Sequence, residues 1–137
     1  MSKITLPAKI ENLKSLIQFV SDYASGEGFA QKRILEIELA TEEALINIFK
    51  YAYPDDETGD VEVRCRMENL FSLVIEIFDT GKPFDIQSVP EPDLTLDVSE
   101  RKEGGLGIYL IKKMVGSVQY RREGGSNILT LVVHKKS

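Results

Sequence analysis

The sequence has few of the residues that mark several common functional classes. Its one cysteine, Cys65, cannot form an internal disulfide bond or a multi-thiolate metal site, which fits a reducing cytoplasm. Its 17 Lys and Arg residues are outnumbered by 22 Asp and Glu residues. The resulting net charge of -5 argues against direct nucleic-acid binding and against attachment to an anionic membrane. No apolar run approaches the roughly 20 residues of a membrane helix, and the first residues lack a signal-peptide pattern.

The remaining composition suits one compact domain. With 137 residues, 42% of them hydrophobic, the chain can bury a real core, and we expect residues 1–137 to form a single domain. Apolar spacing predicts an edge strand over residues 4–10, which contains Pro7, and a helix from Asn12 to about Ser25. A second helix is predicted from about Gln31 to Ala52, before Pro54.

The second half of the chain alternates between strand patterns and glycine-rich segments. Strands are predicted over 61–67, 71–78, 118–122 and 128–134, with an irregular loop over 86–103 and a helix that Gly116 ends. This order predicts an α+β fold, a two-layer α/β sandwich with its helices on one face of a mixed, mostly antiparallel sheet.

The helix predicted over residues 31–52 carries a polar sector. At 100° per residue, Glu36, Glu43, Asn47 and Lys50 fall within about 60° of one another, and we expect apolar walls on both sides, one of them formed by Leu35, Leu39 and Ile46. Side chains four residues apart can meet the same ligand, so Asn47 could supply an oxygen to Mg²⁺ while Glu43 accepts a proton. A solvent-exposed helix face would give a similar pattern, and both interpretations stay open.

Two further segments could bind a ligand. In FDTGKPFD, Asp79 could accept a hydrogen bond from an exocyclic amine, Gly81 would let backbone approach a flat ring, and Pro83 would stiffen the turn. In EGGLGIYLIKK, the amides around Gly104, Gly105, Leu106 and Gly107 precede a helix and could bind an anion. An ordinary turn and a glycine hinge would explain the same two segments.

In this order, EEALIN, DTGKPFD and GGLGI resemble the N, G1 and G2 boxes of the GHKL ATPase superfamily. With KYAY and GGLGIYLIKKMV, the chain is more closely similar to the bacterial anti-sigma factor serine/threonine kinases, over nearly its whole length. The resemblance implies a Bergerat, histidine kinase-like ATPase fold that uses ATP and Mg²⁺. It implies that Glu43 is the general base, Asn47 the magnesium ligand and Asp79 the acceptor of the adenine amine. The nucleotide-binding positions are then Asn47, Asp79, Gly81, Pro83, Gly104, Gly105, Leu106, Gly107 and Thr130.

The resemblance also implies an activity and its partners. The protein would phosphorylate a small STAS-type antagonist and regulate a sigma factor by partner switching, in the cytoplasm, and relatives often form homodimers. Two positions depart from the family, because Tyr51 stands where histidine is common and Glu103 where some members have an arginine. Arg101 or Lys102 could replace that arginine. The departure at Glu103 favours an alternative, a nucleotide-gated binding module without catalysis, whereas Glu43 counts against it.

A sensor histidine kinase fragment fits the sequence less well. Such proteins carry a phosphoacceptor histidine on a dimerising helix, whereas the one histidine here, His134, lies in a predicted strand.

Overall fold

A computed structural model describes residues 1–54, 58–86 and 111–136 of the chain. The helices are α1 (Leu13–Gly26) and α2 (Gln31–Tyr51). The strands are β1 (Ser2–Pro7), β2 (Asp60–Asn69), β3 (Ser72–Asp79), β4 (Ser117–Glu123) and β5 (Ser126–His134). The strands form one sheet in the order β1-β2-β3-β5-β4, and both helices pack on the same face of it. The predicted α+β sandwich is confirmed, and the described strands pair antiparallel throughout rather than in a mixed sheet.

The first strand and the first helix differ in detail from the prediction. Strand β1 lies at the sheet edge, as the proline predicts, but it ends at Pro7 because a 3₁₀ turn at Ile10–Asn12 follows. Asn12 directly precedes α1, yet its side-chain Nδ2 donates to the Pro7 carbonyl at 2.9 Å instead of capping the helix. The Asn12 side chain therefore connects the end of β1 to the 3₁₀ turn and does not cap α1.

Helix α2 forms because residues 31–51 contain no glycine or proline and are rich in Leu, Ala, Ile and Glu. It ends at Tyr51, three residues before Pro54. Its core-facing residues recur at helical spacing and are Ile34, Ile37, Ala40, Thr41, Ala44, Leu45 and Ile48. Within the described residues, neither helix is both long enough and apolar enough to cross a membrane.

Alternation along the strands decides which side chains meet the helices. The helix-facing rows include Val63 opposite Ile77 and Cys65 opposite Ile75, and all four side chains are fully or almost fully buried. Burial raises the pKa of the Cys65 thiol to about 12, so this buried strand residue does not supply a thiolate nucleophile. The same alternation places Asp79 at the end of the helix-facing row of β3.

Candidate functional site

Asn47 is a buried amide on α2 with one atom left unsatisfied. The residue is 1% exposed, and its Nδ2 donates to the Glu43 carbonyl oxygen at 2.7 Å. Only the NH₂ group can face a carbonyl, so this bond fixes Oδ1 on the other side, where none of the described residues hydrogen-bonds to it. Leaving a buried acceptor unpaired costs roughly 1–3 kcal/mol, and such an exception asks for a functional reason. An exposed helix face is thereby excluded for Asn47.

The surroundings of Asn47 fit a magnesium ion that is shared with phosphate. Among the described residues, no three His, Cys, Asp or Glu side chains come together as a metal site. Mg²⁺ commonly takes one or two protein oxygens and completes its shell with water and substrate phosphate. One amide oxygen without a partner therefore matches the donor set that a nucleotide-bound magnesium ion requires.

Glu43 lies one turn before Asn47 and is half-buried. Desolvation by burial, followed by the charge of Glu42, raises the pKa of the Glu43 carboxyl above its ordinary value. A carboxylate with a raised pKa is a better proton acceptor, as general-base chemistry requires.

The rest of the predicted polar sector has other partners. Glu36 pairs with the Arg33 guanidinium at 3.3 Å, and the Lys50 ammonium lies 5.3 Å from the centre of the Tyr51 ring. The predicted wall of Leu35, Leu39 and Ile46 is wrong, because Leu35 is 55% and Leu39 is 37% exposed.

Asp79 ends β3 with its carboxyl group buried, 3% exposed. Its Oδ1 accepts a hydrogen bond from the Gly81 amide at 3.0 Å and another from Asn127 Nδ2 at 2.8 Å. Burial raises the pKa of Asp79, and the hydrogen bonds from Asn127 and Gly81 and the charge of Arg122 oppose that rise. This carboxylate is held by its neighbours through one oxygen.

Gly81 brings the turn after β3 against the end of α2. A Cβ atom on Gly81 would lie 2.2 Å from the Ala52 carbonyl oxygen, so no side chain fits there. The next amide, Lys82 N, donates to that same carbonyl oxygen at 2.8 Å. Ala52 is five residues after Asn47, about 7.5 Å along the helix axis, so this contact brings the Asp79 turn close to the Asn47 end of the helix.

Tyr53 also binds the turn after β3, through its hydroxyl group. Its hydroxyl accepts a hydrogen bond from Thr80 N at 2.8 Å and donates to the Asp60 carbonyl at 2.9 Å. Its ring is 7% exposed and occupies the space that a side chain at Gly59 would need. Tyr53 was not identified from the sequence, although its hydroxyl binds the residue after Asp79.

The residues after the turn are more open. Pro83 follows Lys82 and is exposed, and its ring restricts the backbone conformation of this turn. The Phe84 ring stacks on the Tyr51 ring with centroids 4.7 Å apart and planes 21° apart. The Tyr51 ring therefore packs against another side chain of the same chain.

Thr130 is not brought to this site. It pairs with Glu76 and Gln119, whereas Asp79 pairs with Asn127, and the odd difference in position puts Thr130 on the opposite face of the sheet. Asn127 stands where the resemblance led us to expect Thr130. In the sequence, Asn127 alternates in step with the apolar residues Leu129, Leu131 and Val133. This two-residue spacing indicated that Asn127 lies on the helix-facing side of the strand.

The structure thus places Glu43 and Asn47 one turn apart on α2 and joins the turn after Asp79 to the end of that helix at Ala52, with Pro83 following the turn. The predicted positions Gly104, Gly105, Leu106 and Gly107 lie outside the described residues, and their contact with phosphate stays a prediction. The same holds for the residues of the predicted 86–103 loop beyond Ile86.

Comparison with known proteins agrees with this geometry. The histidine kinase-like ATPase domain family matches residues 6–133. The serine-protein kinase RsbW of Listeria monocytogenes is 32% identical over 141 residues, which cover 98% of this chain and 89% of the relative. The serine-protein kinase RsbW of Bacillus licheniformis is 32% identical over 130 residues, which cover 89% of this chain and 78% of the relative.

Solved structures share the fold at lower sequence identity. The RsbU and RsbW domains of a Mycobacterium tuberculosis protein superpose with a TM-score of 0.63 at 13% identity, covering 97% of this chain and 32% of that one. The histidine kinase domain of a blue-light activated histidine kinase from Erythrobacter litoralis gives 0.53 at 16% identity, covering 88% and 60%. The chain belongs to the histidine kinase-like ATPase domain family and, within it, to the serine-protein kinases named RsbW.

Proposed function

We propose that the protein transfers the γ-phosphoryl group of Mg²⁺-bound ATP to a serine or threonine of a small antagonist protein and thereby regulates a sigma factor. One observation carries the proposal: the buried Oδ1 of Asn47, which has no partner in the described part of the chain, lies one helical turn from Glu43, whose pKa is raised. A metal-ligating oxygen beside a proton acceptor is the pair of groups that phosphoryl transfer needs.

Three residues would divide the work of binding and proton transfer. Asn47 would hold the Mg²⁺, which when bound supplies positive charge against the phosphate oxygens. Asp79 would accept a hydrogen bond from the adenine amine. Glu43 would orient the attacking hydroxyl group and accept its proton while the hydroxyl oxygen bonds to the γ-phosphorus, and the bond to the bridging oxygen breaks so that ADP leaves with that electron pair.

The partners are proposed on the resemblance together with the charge of the chain. The relatives' name gives serine as the acceptor for those proteins, and we extend it here to an antagonist of the STAS type. The net charge of -5 favours regulation through protein contacts over direct nucleic-acid binding. We include a homodimer in the proposal, and sedimentation of the purified protein with and without ATP would measure it.

The test combines the protein with ATP, Mg²⁺ and the STAS-domain protein of the same organism, followed by phosphosite mapping. We expect phosphoserine or phosphothreonine on the antagonist and a rate at least about a hundredfold lower for Glu43→Gln, as for loss of a general base. Glu38→Gln, on the same helix, is the matched control and should keep the rate.

The outcomes separate the parts of the proposal. An unchanged rate for Glu43→Gln would remove the base assignment alone. ATP binding without a phosphoprotein would support the nucleotide-gated module, and failure to bind ATP at all would refute the whole proposal.

A further inference from the structure

Asn127 is buried beside Asp79, and every donor and acceptor of its side-chain amide is hydrogen-bonded. It is 3% exposed. Its Nδ2 donates to Asp79 Oδ1 at 2.8 Å and to the Lys82 carbonyl at 2.7 Å. Its Oδ1 accepts hydrogen bonds from the Tyr120 hydroxyl at 2.6 Å and from Arg122 at 3.0 Å. Two donated and two accepted bonds saturate an amide side chain.

The orientation of this amide is settled by chemistry. A guanidinium group can only donate hydrogen bonds, so the atom of Asn127 that faces Arg122 must be the oxygen. The NH₂ group then necessarily faces Asp79 and the Lys82 carbonyl, which are both acceptors. Arg122 also donates to the Gly81 carbonyl at 3.1 Å, so the same cation fixes the turn and the amide together.

The consequence for Asp79 is a carboxylate with two unequal oxygens. Oδ1 receives both the Gly81 amide and Asn127 Nδ2. Among the described residues, Oδ2 has no hydrogen-bond partner, so it remains the oxygen that can accept a donor from a ligand. Because donors also oppose the rise in the pKa of Asp79 that burial causes, they favour the ionised acceptor form.

We propose that Asn127 is the positioning residue of the base pocket, which acts through Asp79 and sets the preference for a purine that carries a 6-amino group. This inference rests on the proposed function, since it assumes that Asp79 reads the adenine of ATP. Asn127 holds the rotamer of the carboxylate, favours its ionised form and leaves one oxygen to meet one amine. Without Asn127, Asp79 Oδ1 keeps only the Gly81 amide as a donor, and the carboxylate is held less firmly.

The experiment measures binding of two nucleotides by calorimetry in the presence of Mg²⁺. One is ATP and the other is purine riboside triphosphate, which lacks only the 6-amino group. For Asn127→Ala we expect ATP affinity to fall about tenfold, as for one lost charge-assisted hydrogen bond, and affinity for the analogue to change less than about twofold. The ratio of the two affinities is the readout, because a general loss of structure would lower both.

Three further variants keep the test sharp. Asn127→Asp has the same shape but replaces the donor with an acceptor, and we expect it to lose the preference for ATP as well. In a background of Asp79→Ala, adding Asn127→Ala should have no further effect on the ratio, since the residue acts through Asp79. Asn69→Ala, an asparagine in the β2–β3 turn at the other end of the strands, is the matched control and should bind both nucleotides as wild type does.

Each result has one meaning. A selective loss of ATP affinity that disappears in the Asp79→Ala background supports the inference. Equal losses for ATP and the analogue overturn it while the proposed function stands. If the wild-type protein binds neither nucleotide, the proposed function and this inference fall together.

Discussion

Replacing Asn47 with alanine should move stability and nucleotide binding in opposite directions. The change removes a buried oxygen without a partner, which returns about 1–3 kcal/mol of desolvation cost. It also removes the bond to the Glu43 carbonyl, worth about 0.5–1.5 kcal/mol. Alanine has the higher helix propensity, by up to about 0.7 kcal/mol. We therefore expect the free energy of unfolding to stay equal or to rise by about 2 kcal/mol, while Mg²⁺-dependent ATP binding is lost.

Thermal unfolding without nucleotide, followed by circular dichroism, measures the first effect, and each kcal/mol corresponds to about 4 °C in Tm for a chain of this size. Calorimetry with ATP, with and without Mg²⁺, measures the second. Thr41→Val is the matched control, because the Thr41 hydroxyl on the same helix is also buried, has no partner within the residues that the structure describes, and faces the core. It should stabilise without weakening ATP binding. A lower Tm for Asn47→Ala together with unchanged Mg²⁺-dependent binding would refute the reasoning.

Three other predictions follow from the site. Gly81→Ala places a Cβ against the Ala52 carbonyl, so it should lower the free energy of unfolding by about 1–3 kcal/mol in urea titration and should weaken ATP binding. Wild-type values for both would contradict the close approach of the two backbone segments. Thr130→Val should leave ATP affinity unchanged in calorimetry and should not lower Tm, because its buried hydroxyl has no partner among the described residues and faces away from Asp79. Weaker ATP binding would contradict that placement. Because burial raises the pKa of Glu43, the folded state holds this proton more tightly than the unfolded chain. Protonated Glu43 therefore contributes to stability at pH values below the ordinary pKa of a glutamate, and this contribution is lost as pH rises through the raised pKa of the folded state. The kinase rate should rise over the same pH interval, because the ionised carboxylate is the base. A pH–rate profile without this inflection would contradict the base role.

The fold could be predicted largely from periodicity and from chain-breaking residues. Alternation from Val61 to Met67 predicted β2 with one wet face, and Pro54 predicted the end of α2. Asn47 could be identified as a candidate ligand because a buried amide on an apolar helix is costly without a partner. The position of β1 was less certain, because Pro7 fits an edge strand but does not determine where the strand stops.

Thr130 and Asn127 show what the sequence could not resolve. Resemblance places a residue approximately along a strand, but strand alternation makes a one-residue error equivalent to a change of sheet face. The pairing of Asp79 with Asn127 depends on the register between β3 and β5, which are 47 residues apart from the end of one to the start of the other. Only the assembled sheet brings that asparagine to the carboxylate.

The turn after β3 is held by hydrogen bonds from three other parts of the chain in the absence of a ligand. Tyr53 holds the Thr80 amide, Ala52 holds the Lys82 amide, and Asn127 holds the Lys82 carbonyl. A rigid recognition element of this kind loses little conformational entropy when a base docks, so more of the contact energy appears as affinity. Mutations that loosen the turn should therefore weaken adenosine binding even where no atom of the ligand is touched.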